Sequence, residues 1–258
     1  MNLELQNKIV LISASGQGLG RGIAESFLKE KAKVVITDIH EDRLNSTLDE
    51  LKEKYDVENI FLFCGNMINK NDISNCVNLV VKRFGRIDIL VANLGSGVGT
   101  SDWNVSEDDW NNMLDINFTG ARRIVNEVLP TMIENKSGSI VFISSIAGIE
   151  VIETPIHYSV AKAALIAFSK NLARKIAKNN IRVNTICPGN IYFENGIWDN
   201  KLKVDREKVL EMLEKSVPLN RFASPEEIAN LVLLISSDKM SFMTGSCLVI
   251  DGGQTVTI

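Results

Sequence analysis

Tyr158 and Lys162 stand four residues apart at the start of a segment with helical periodicity, so both side chains project from one helix face. An ammonium beside a phenol favours the phenolate. It draws a pKa of about 10 toward neutrality, where the group can act as an acid or a base. Ser145 ends the apolar run ahead of this helix and brings a hydroxyl able to hydrogen-bond a substrate oxygen. The spacing alone is common in proteins, and its meaning depends on what surrounds it.

A second constellation lies near the N-terminus, where Ser13-Ala14-Ser15-Gly16-Gln17-Gly18-Leu19-Gly20 follows an apolar strand and opens a helix. Glycines at such a turn let the backbone approach a pyrophosphate, while the helix N-terminus offers free N–H groups and a favourable dipole. Asp38 closes the next strand, where a carboxylate can accept the hydroxyls of an adenosine ribose and would repel a 2′-phosphate. Gln17 offers no cation for that phosphate. This pattern predicts NAD(H) in preference to NADP(H).

Small or hydrogen-bonding residues also gather at the other strand ends: Asp38-Ile39, Cys64-Gly65-Asn66-Met67, Ala92-Asn93-Leu94-Gly95, Ser144-Ser145 and Cys187-Pro188-Gly189. In an open α/β sheet the ligand lies beyond the carboxyl ends of the strands, so these ends converge on one crevice.

The elements that must position these residues alternate along the whole chain. Strands are predicted at 9–13, 34–38, 60–63, 87–92, 139–144, 182–186 and 247–250, and helices near 18–30, 41–54, 70–84, 106–135, 156–179 and 225–236. Runs such as KVVITD and DILVAN are almost wholly apolar, as expected of parallel strands covered on both faces. The fold class is α/β, a Rossmann-type doubly wound parallel sheet of about seven strands in a single domain spanning 1–258. One insertion, 191–217, breaks the alternation. Val209, Leu210, Met212 and Leu213 give it a helix, and its length and position suggest a substrate lid.

Composition narrows the partners. Among 258 residues, 28 Lys+Arg against 32 Asp+Glu give a net charge of −4 with no basic stripe, which argues against nucleic acid. No apolar stretch approaches the roughly 18 residues that span a bilayer, and no signal sequence opens the chain, so a soluble cytoplasmic protein is expected. The four cysteines and two histidines are scattered, and neither a metal site nor a structural disulfide framework is predicted.

Taken together these motifs resemble the short-chain dehydrogenase/reductase family over almost the whole length. The family's T-G-x-x-x-G-x-G turn corresponds to Ser13–Gly20, its N-N-A-G to Ala92-Asn93-Leu94-Gly95, and its serine, Y-x-x-x-K and P-G to Ser145, Tyr158, Lys162 and Pro188-Gly189. Asn117 falls at the family's catalytic asparagine, and GSCLVIDGG looks like its last strand. The resemblance implies Tyr158 as acid/base, Lys162 on the nicotinamide ribose, Ser145 polarising the substrate oxygen and Asn117 holding a relay water. The implied cofactor contacts are Ser13, Ser15, Gln17, Gly18, Leu19, Gly20, Asp38, Ile39, Asn66, Met67, Asn93, Gly95, Tyr158, Lys162, Pro188, Gly189 and Ile191. A homotetramer, or a homodimer, built on the long helices and the C-terminal strand is implied as well.

Four positions depart from the family pattern: Ala14 for a glycine, Asn66 for an aspartate, Leu94 for a small residue and Phe193 for a threonine that contacts the nicotinamide amide. The leading expectation is an NAD(H)-dependent oxidoreductase acting on a secondary alcohol or ketone. A regulatory or scaffold protein that binds NAD without turnover is the alternative. A sugar-nucleotide epimerase would carry a longer chain and a G-x-x-G-x-x-G turn. The substrate pocket is expected along Gly97-Val98-Gly99, 146–153, His157 and the insertion with Phe193, Asn195 and Trp198, where Glu150, Glu153, His157 and Asn195 could suit a polyhydroxylated substrate.

Overall fold

The computed structural model describes residues 2–256. Seven parallel strands form one sheet: β1 (Ile9–Ile12), β2 (Lys33–Asp38), β3 (Ile60–Cys64), β4 (Ile89–Ala92), β5 (Gly138–Ile143), β6 (Ile181–Pro188) and β7 (Cys247–Ile250). Their order is β3-β2-β1-β4-β5-β6-β7, so the winding reverses between β1 and β4. A crevice opens at such a reversal because the connections leave in opposite directions.

Side-chain alternation explains why both faces are covered. Ile9, Leu11, Leu90, Ile140, Phe142 and Val183 face one layer, with α3 (Lys70–Phe84), α5 (Gly120–Asn135) and α6 (Ile156–Ile176). Val10, Ile12, Val34, Ile36, Ile89 and Val141 face the other, with α1 (Gly18–Lys29), α2 (Glu41–Lys52) and α9 (Pro225–Ser236). β1, β4 and β6 are buried throughout and β2 and β5 beyond their first residue, which is why their sequences read as continuous apolar runs rather than alternating ones.

Every predicted strand and helix is present, with two refinements. The predicted helix 106–135 is three pieces: α4 (Glu107–Leu114), one turn of π-helix at Asp115–Thr119, and α5. Such π turns recur at functional sites because the extra residue re-aims a side chain, and here that side chain belongs to Asn117. The insertion holds two helices where the apolar spacing predicts one, α7 (Ile197–Val204) and α8 (Arg206–Ser216). Asp205 separates them and its carboxylate caps α8 by accepting from the Lys208 N–H at 3.0 Å. Among the described residues no helix is long and apolar enough to cross a membrane.

Candidate active site

The turn after β1 is built to leave N–H groups free. Gln17 occupies the N-cap of α1 and no side chain accepts from the helix's first turn, whereas α9 is closed by a full Ser224/Glu227 capping box. Gly18 has φ +56°, and the Phe193 ring lies over it, so that a β-carbon there would come within 2.7 Å of the ring. Ser13 and Ser15 fix the turn rather than face the crevice. The Ser13 hydroxyl accepts from the Asn93 and Leu94 N–H groups at 3.0 Å, and the Ser15 hydroxyl donates to Ile12 O at 2.8 Å. Ala14 sits in the left-handed region at φ +51°, which is the conformational reason for a glycine in the family pattern.

At one end of the crevice Asp38 is buried, and its carboxylate packs against Gly16 so closely that a β-carbon there would lie 2.5 Å from Oδ2. The carboxylate accepts from the His40 N–H at 3.0 Å and from Arg43 Nη1, 3.3 Å from both oxygens. Arg43 was not singled out from sequence. It lies five residues past the strand end, in the first turn of α2, and that offset is the signal that could have found it.

At the other end β5 and α6 bring Ser145, Tyr158 and Lys162 together. Lys162 is 3% exposed, its Nζ donates to Ile143 O at 3.0 Å, and it lies 5.7 Å from the Tyr158 ring centroid. Burial without a counter-ion lowers the Lys162 pKa to about 8. The expected lowering of the Tyr158 pKa is not found. Desolvation raises it above 10, and the Ser145 hydroxyl opposes that rise by donating to the phenol oxygen. The correction has a physical cause: the pocket that brings the ammonium close is dry enough to penalise the phenolate as well.

Asn117 is fully buried, and its side chain is engaged on all sides. Nδ2 donates to Ser96 O at 2.9 Å and Met113 O at 3.1 Å, while Oδ1 accepts from the Ser96 N–H at 3.0 Å. Its amide therefore pins the Gly95–Gly97 loop. Gly95 is required there, because a β-carbon would lie 2.8 Å from both Asn117 Oδ1 and Lys162 Nζ.

These two ends belong to one cleft of about 520 Å³, within the size range of small-molecule sites. Gln17, Leu19, Gly20, Asp38, Ile39, Asn66, Met67, Asn93, Gly95, Ser145, Tyr158, Lys162, Pro188, Gly189 and Ile191 line it, as do Arg43, Ile116 and Ile68 beyond the sequence expectation. Ser13, Ser15 and Asn117 stand behind its walls, and Gly18 lines a neighbouring cavity with Gln17, Glu194 and Asn195. A nicotinamide dinucleotide fits this donor set: an uncapped helix start midway, a carboxylate–guanidinium pair at one end and a hydroxyl–phenol–ammonium group at the other. Among the described residues no group of three or more His, Cys, Asp or Glu could hold a metal ion.

The insertion packs down on the cleft. Tyr192 O–H, the Asn195 N–H and Lys203 Nζ all converge on the Asp199 carboxylate at 2.7–3.0 Å, and Trp198 stacks near Phe222 at 5.3 Å. Ile197, Trp198 and Phe193 line the cleft, whereas the polar substrate candidates do not. Glu150 accepts from the Val256 N–H at 3.1 Å, Asn195 faces the phosphate turn, and His157 is buried against Trp110. Adjacent helix positions diverge by about 100°, so His157 points to α4 while Tyr158 points to the cleft.

Comparison with known proteins extends over the whole chain. The family described as enoyl-(acyl carrier protein) reductase matches residues 13–255. A 3-oxoacyl-(acyl-carrier-protein) reductase of Thermotoga maritima is 33% identical over 257 residues, 98% of this chain and 100% of the relative. L-sorbose reductase from Gluconobacter frateurii, complexed with NADPH and L-sorbose, superposes with a TM-score of 0.94 at 31% identity and 100% coverage of both chains. A 7α-hydroxysteroid dehydrogenase complexed with NADH and 7-oxo glycochenodeoxycholic acid has a TM-score of 0.89 at 28% identity, covering 99% of this chain and 98% of its own.

Proposed function

The chain belongs to the short-chain dehydrogenase/reductase family, and on that premise we propose an NAD(H)-dependent oxidoreductase moving hydride between nicotinamide and a secondary alcohol or ketone. The observation that carries this reading is the meeting of Ser145, Tyr158 and Lys162 on the wall of a cleft that also holds the uncapped start of α1. The dinucleotide, when bound, supplies or accepts the hydride.

The residues handle the proton. Tyr158 keeps its phenolic proton at neutral pH because burial raises its pKa, so in the reductive direction it is a ready acid for the substrate oxygen. The Ser145 hydroxyl, turned from the phenol to the substrate, donates a second hydrogen bond to that oxygen and polarises the carbonyl. Lys162, held by Ile143 O, lies against the phenol and meets the nicotinamide ribose. Asn117 is a positioning residue that holds Ser96 and so keeps the Gly95–Gly97 loop against Tyr158.

Asp38 supports NAD(H) over NADP(H), since a buried carboxylate at the ribose disfavours a 2′-phosphate. The NADPH of the L-sorbose reductase complex weighs the other way, and the NADH of the hydroxysteroid dehydrogenase complex weighs with Asp38. The insertion acts as the lid of the substrate end, with Phe193, Ile197 and Trp198 closing over it. Exposed Phe242 ahead of β7 and Val249 within it, with Ile156 and Val160 on α6, support assembly into a homotetramer through that edge and the long helices.

The deciding experiment is a panel of ketones and alcohols assayed with NADH, NAD⁺ and their phosphorylated forms, with parallel binding titrations. Turnover with NADH and tighter binding of NADH than NADPH are expected. Tight NADH binding with no turnover across the panel would instead favour the non-catalytic reading.

A further inference from the structure

Gly95, Gly97 and Gly99 punctuate the loop after β4, and they stand there for different reasons. A β-carbon at Gly95 would lie 2.8 Å from Asn117 Oδ1 and Lys162 Nζ, and one at Gly99 would lie 2.9 Å from His157 Nε2. Neighbours exclude a side chain at both. At Gly97 the nearest atoms to such a carbon belong to the Tyr158 ring, with Cε2 and Cζ at 3.6 Å, which is ordinary van der Waals contact. The backbone of Gly97 is not in the positive-φ region either. Neither packing nor conformation calls for glycine at this position. What the missing side chain leaves is space against the ring carbon that bears the Tyr158 hydroxyl.

The walls facing this space are hydrocarbon. Ile191, Phe193, Ile197 and Trp198 line the cleft from the insertion. Trp198 is a fixed wall, since its ring centroid lies 5.3 Å from that of Phe222 and 4.5 Å from Lys201 Nζ.

The hydrogen-bonding groups around this end are already engaged. The Asp199 carboxylate is taken by the insertion's own donors, Glu150 accepts from the Val256 N–H, and Asn190 Nδ2 points to the Met212 sulfur at 3.8 Å. Of the charged residues lining the cleft, Asp38 and Arg43 pair with each other at the far end, and Lys162 donates to Ile143 O. For a substrate there remain Ser145 and Tyr158, which one carbonyl oxygen satisfies, and the Ser96 hydroxyl, which accepts from the Val98 N–H at 3.3 Å and has its own proton to give. A polyol carries a hydroxyl on nearly every carbon. Most of these would lose water against Ile197 and Trp198 without gaining a partner, whereas hydrocarbon gains from the same walls.

We propose that this site takes a ketone or secondary alcohol whose reacting carbon is flanked by bulky hydrocarbon, and that Gly97 is the specificity-determining residue that makes room for that bulk beside Tyr158. The carbonyl carbon gains hydride from NADH and its oxygen gains the Tyr158 proton, leaving the secondary alcohol and NAD⁺. That chemistry rests on the oxidoreductase reading. The shape and polarity of the chamber do not.

The test pairs probes of one carbon skeleton and opposite polarity, 2-butanone and L-erythrulose, and adds 2-decalone for bulk. Each is assayed with NADH. Each is also mixed with full-length protein saturated with NAD⁺, where the ketone cannot be reduced, and its binding is read by saturation-transfer NMR. From 2-butanone to 2-decalone kcat/KM should rise by about tenfold or more, and from 2-butanone to L-erythrulose it should fall by a similar factor. Saturation should reach the 2-decalone ring protons remote from the carbonyl. Gly97→Val should cut kcat/KM for 2-decalone by about tenfold more than for 2-butanone, with Gly97→Ala intermediate, because the added carbons fill the space that the rings need.

L-erythrulose turned over as well as 2-butanone, or better, overturns the apolar assignment. Equal losses for every probe in both Gly97 variants overturn the role of Gly97. Binding of 2-decalone without turnover of any probe keeps the chamber and sinks the oxidoreductase reading, and neither binding nor turnover removes both.

Discussion

The two ends of the cleft hold their charges in opposite ways. Asp38 is buried but paired, with Arg43 and the His40 N–H on its carboxylate. Lys162 is buried without any counter-ion and leans on one carbonyl and the Tyr158 ring. A paired charge can be carried at little expense to the fold and serves recognition. An unpaired one stores unfavourable energy, which the rest of the fold must exceed, and keeps the group close to its point of proton exchange. On the proposed function, the Asp38 end would select the ligand and the Tyr158–Lys162 end would move the proton.

The largest test of that contrast is Tyr158→Phe. It removes one hydroxyl and no charge, so binding of NADH should hardly change while hydride transfer falls by about 10²–10⁴-fold. Single-turnover rates with NADH and an active ketone check it. Retained transfer with a lost pH dependence of binding would move the acid elsewhere.

Lys162→Met addresses the stored energy. The folded-state pKa is lowered from 10.5 to about 8, so both states are protonated below pH 8 and the fold bears the full penalty there. Between about pH 8 and 10.5 the unfolded chain holds a proton that the native state has released, and wild-type stability rises relative to the variant by on the order of 3 kcal/mol. Urea midpoints of the two proteins across that range give the measurement. A constant difference from pH 7.5 to 10.5 would mean that Lys162 is not desolvated as the fold implies.

Much of this contrast was legible before the structure, and the reasons are local. Strand ends carrying Asp38, Asn93, Ser145 and Pro188-Gly189 mark the crevice because a parallel sheet delivers every strand end to the same edge. Tyr158 and Lys162 follow from a four-residue helix spacing. What sequence did not yield depends on packing between separate elements. The rise of the Tyr158 pKa reflects how dry the pocket is, and the pairing of Arg43 with Asp38 needs the angle between α2 and β2. Asn117 was found as a position, but its engagement with Ser96 depends on the π turn, which has no spacing signature distinct from an ordinary helix. In the insertion the spacing of Val209, Leu210, Met212 and Leu213 marks α8 alone, and α7 before it carries no comparable apolar cluster.

Asp38→Ser, with and without Arg43→Ala, probes the recognition end. Serine removes the repulsion toward a 2′-phosphate and releases Arg43 beside it, so preference should swing toward NADPH by about 10- to 100-fold, a change of about 1.4–3 kcal/mol. Adding Arg43→Ala should cancel most of that swing. Parallel NADH and NADPH titrations read both effects, and an equal swing in the double variant would exclude Arg43 from recognition. Neither variant should alter the pH dependence of hydride transfer if, as proposed, the proton chemistry resides at the other end.

The smallest effect is expected midway between the ends, at Ala14. Its φ of +51° is held by its own N–H donating to Thr37 Oγ1 at 3.1 Å and by its carbonyl accepting from Asn93 Nδ2 at 3.0 Å. Those bonds fix the turn, and the β-carbon bears the strain of a left-handed backbone, roughly 1–2 kcal/mol for a non-glycine residue. Ala14→Gly relieves that strain but gives the unfolded chain more freedom, which offsets about 0.5–1 kcal/mol. The net gain should therefore be under about 1 kcal/mol, seen as a rise in Tm of about 2 °C. Because Ala14 also lines the cleft, losing its methyl group opens space beside the phosphate turn, and NADH affinity should hold or improve. A fall in stability would show that the turn is carried by its hydrogen bonds alone, with no strain at Ala14 to release.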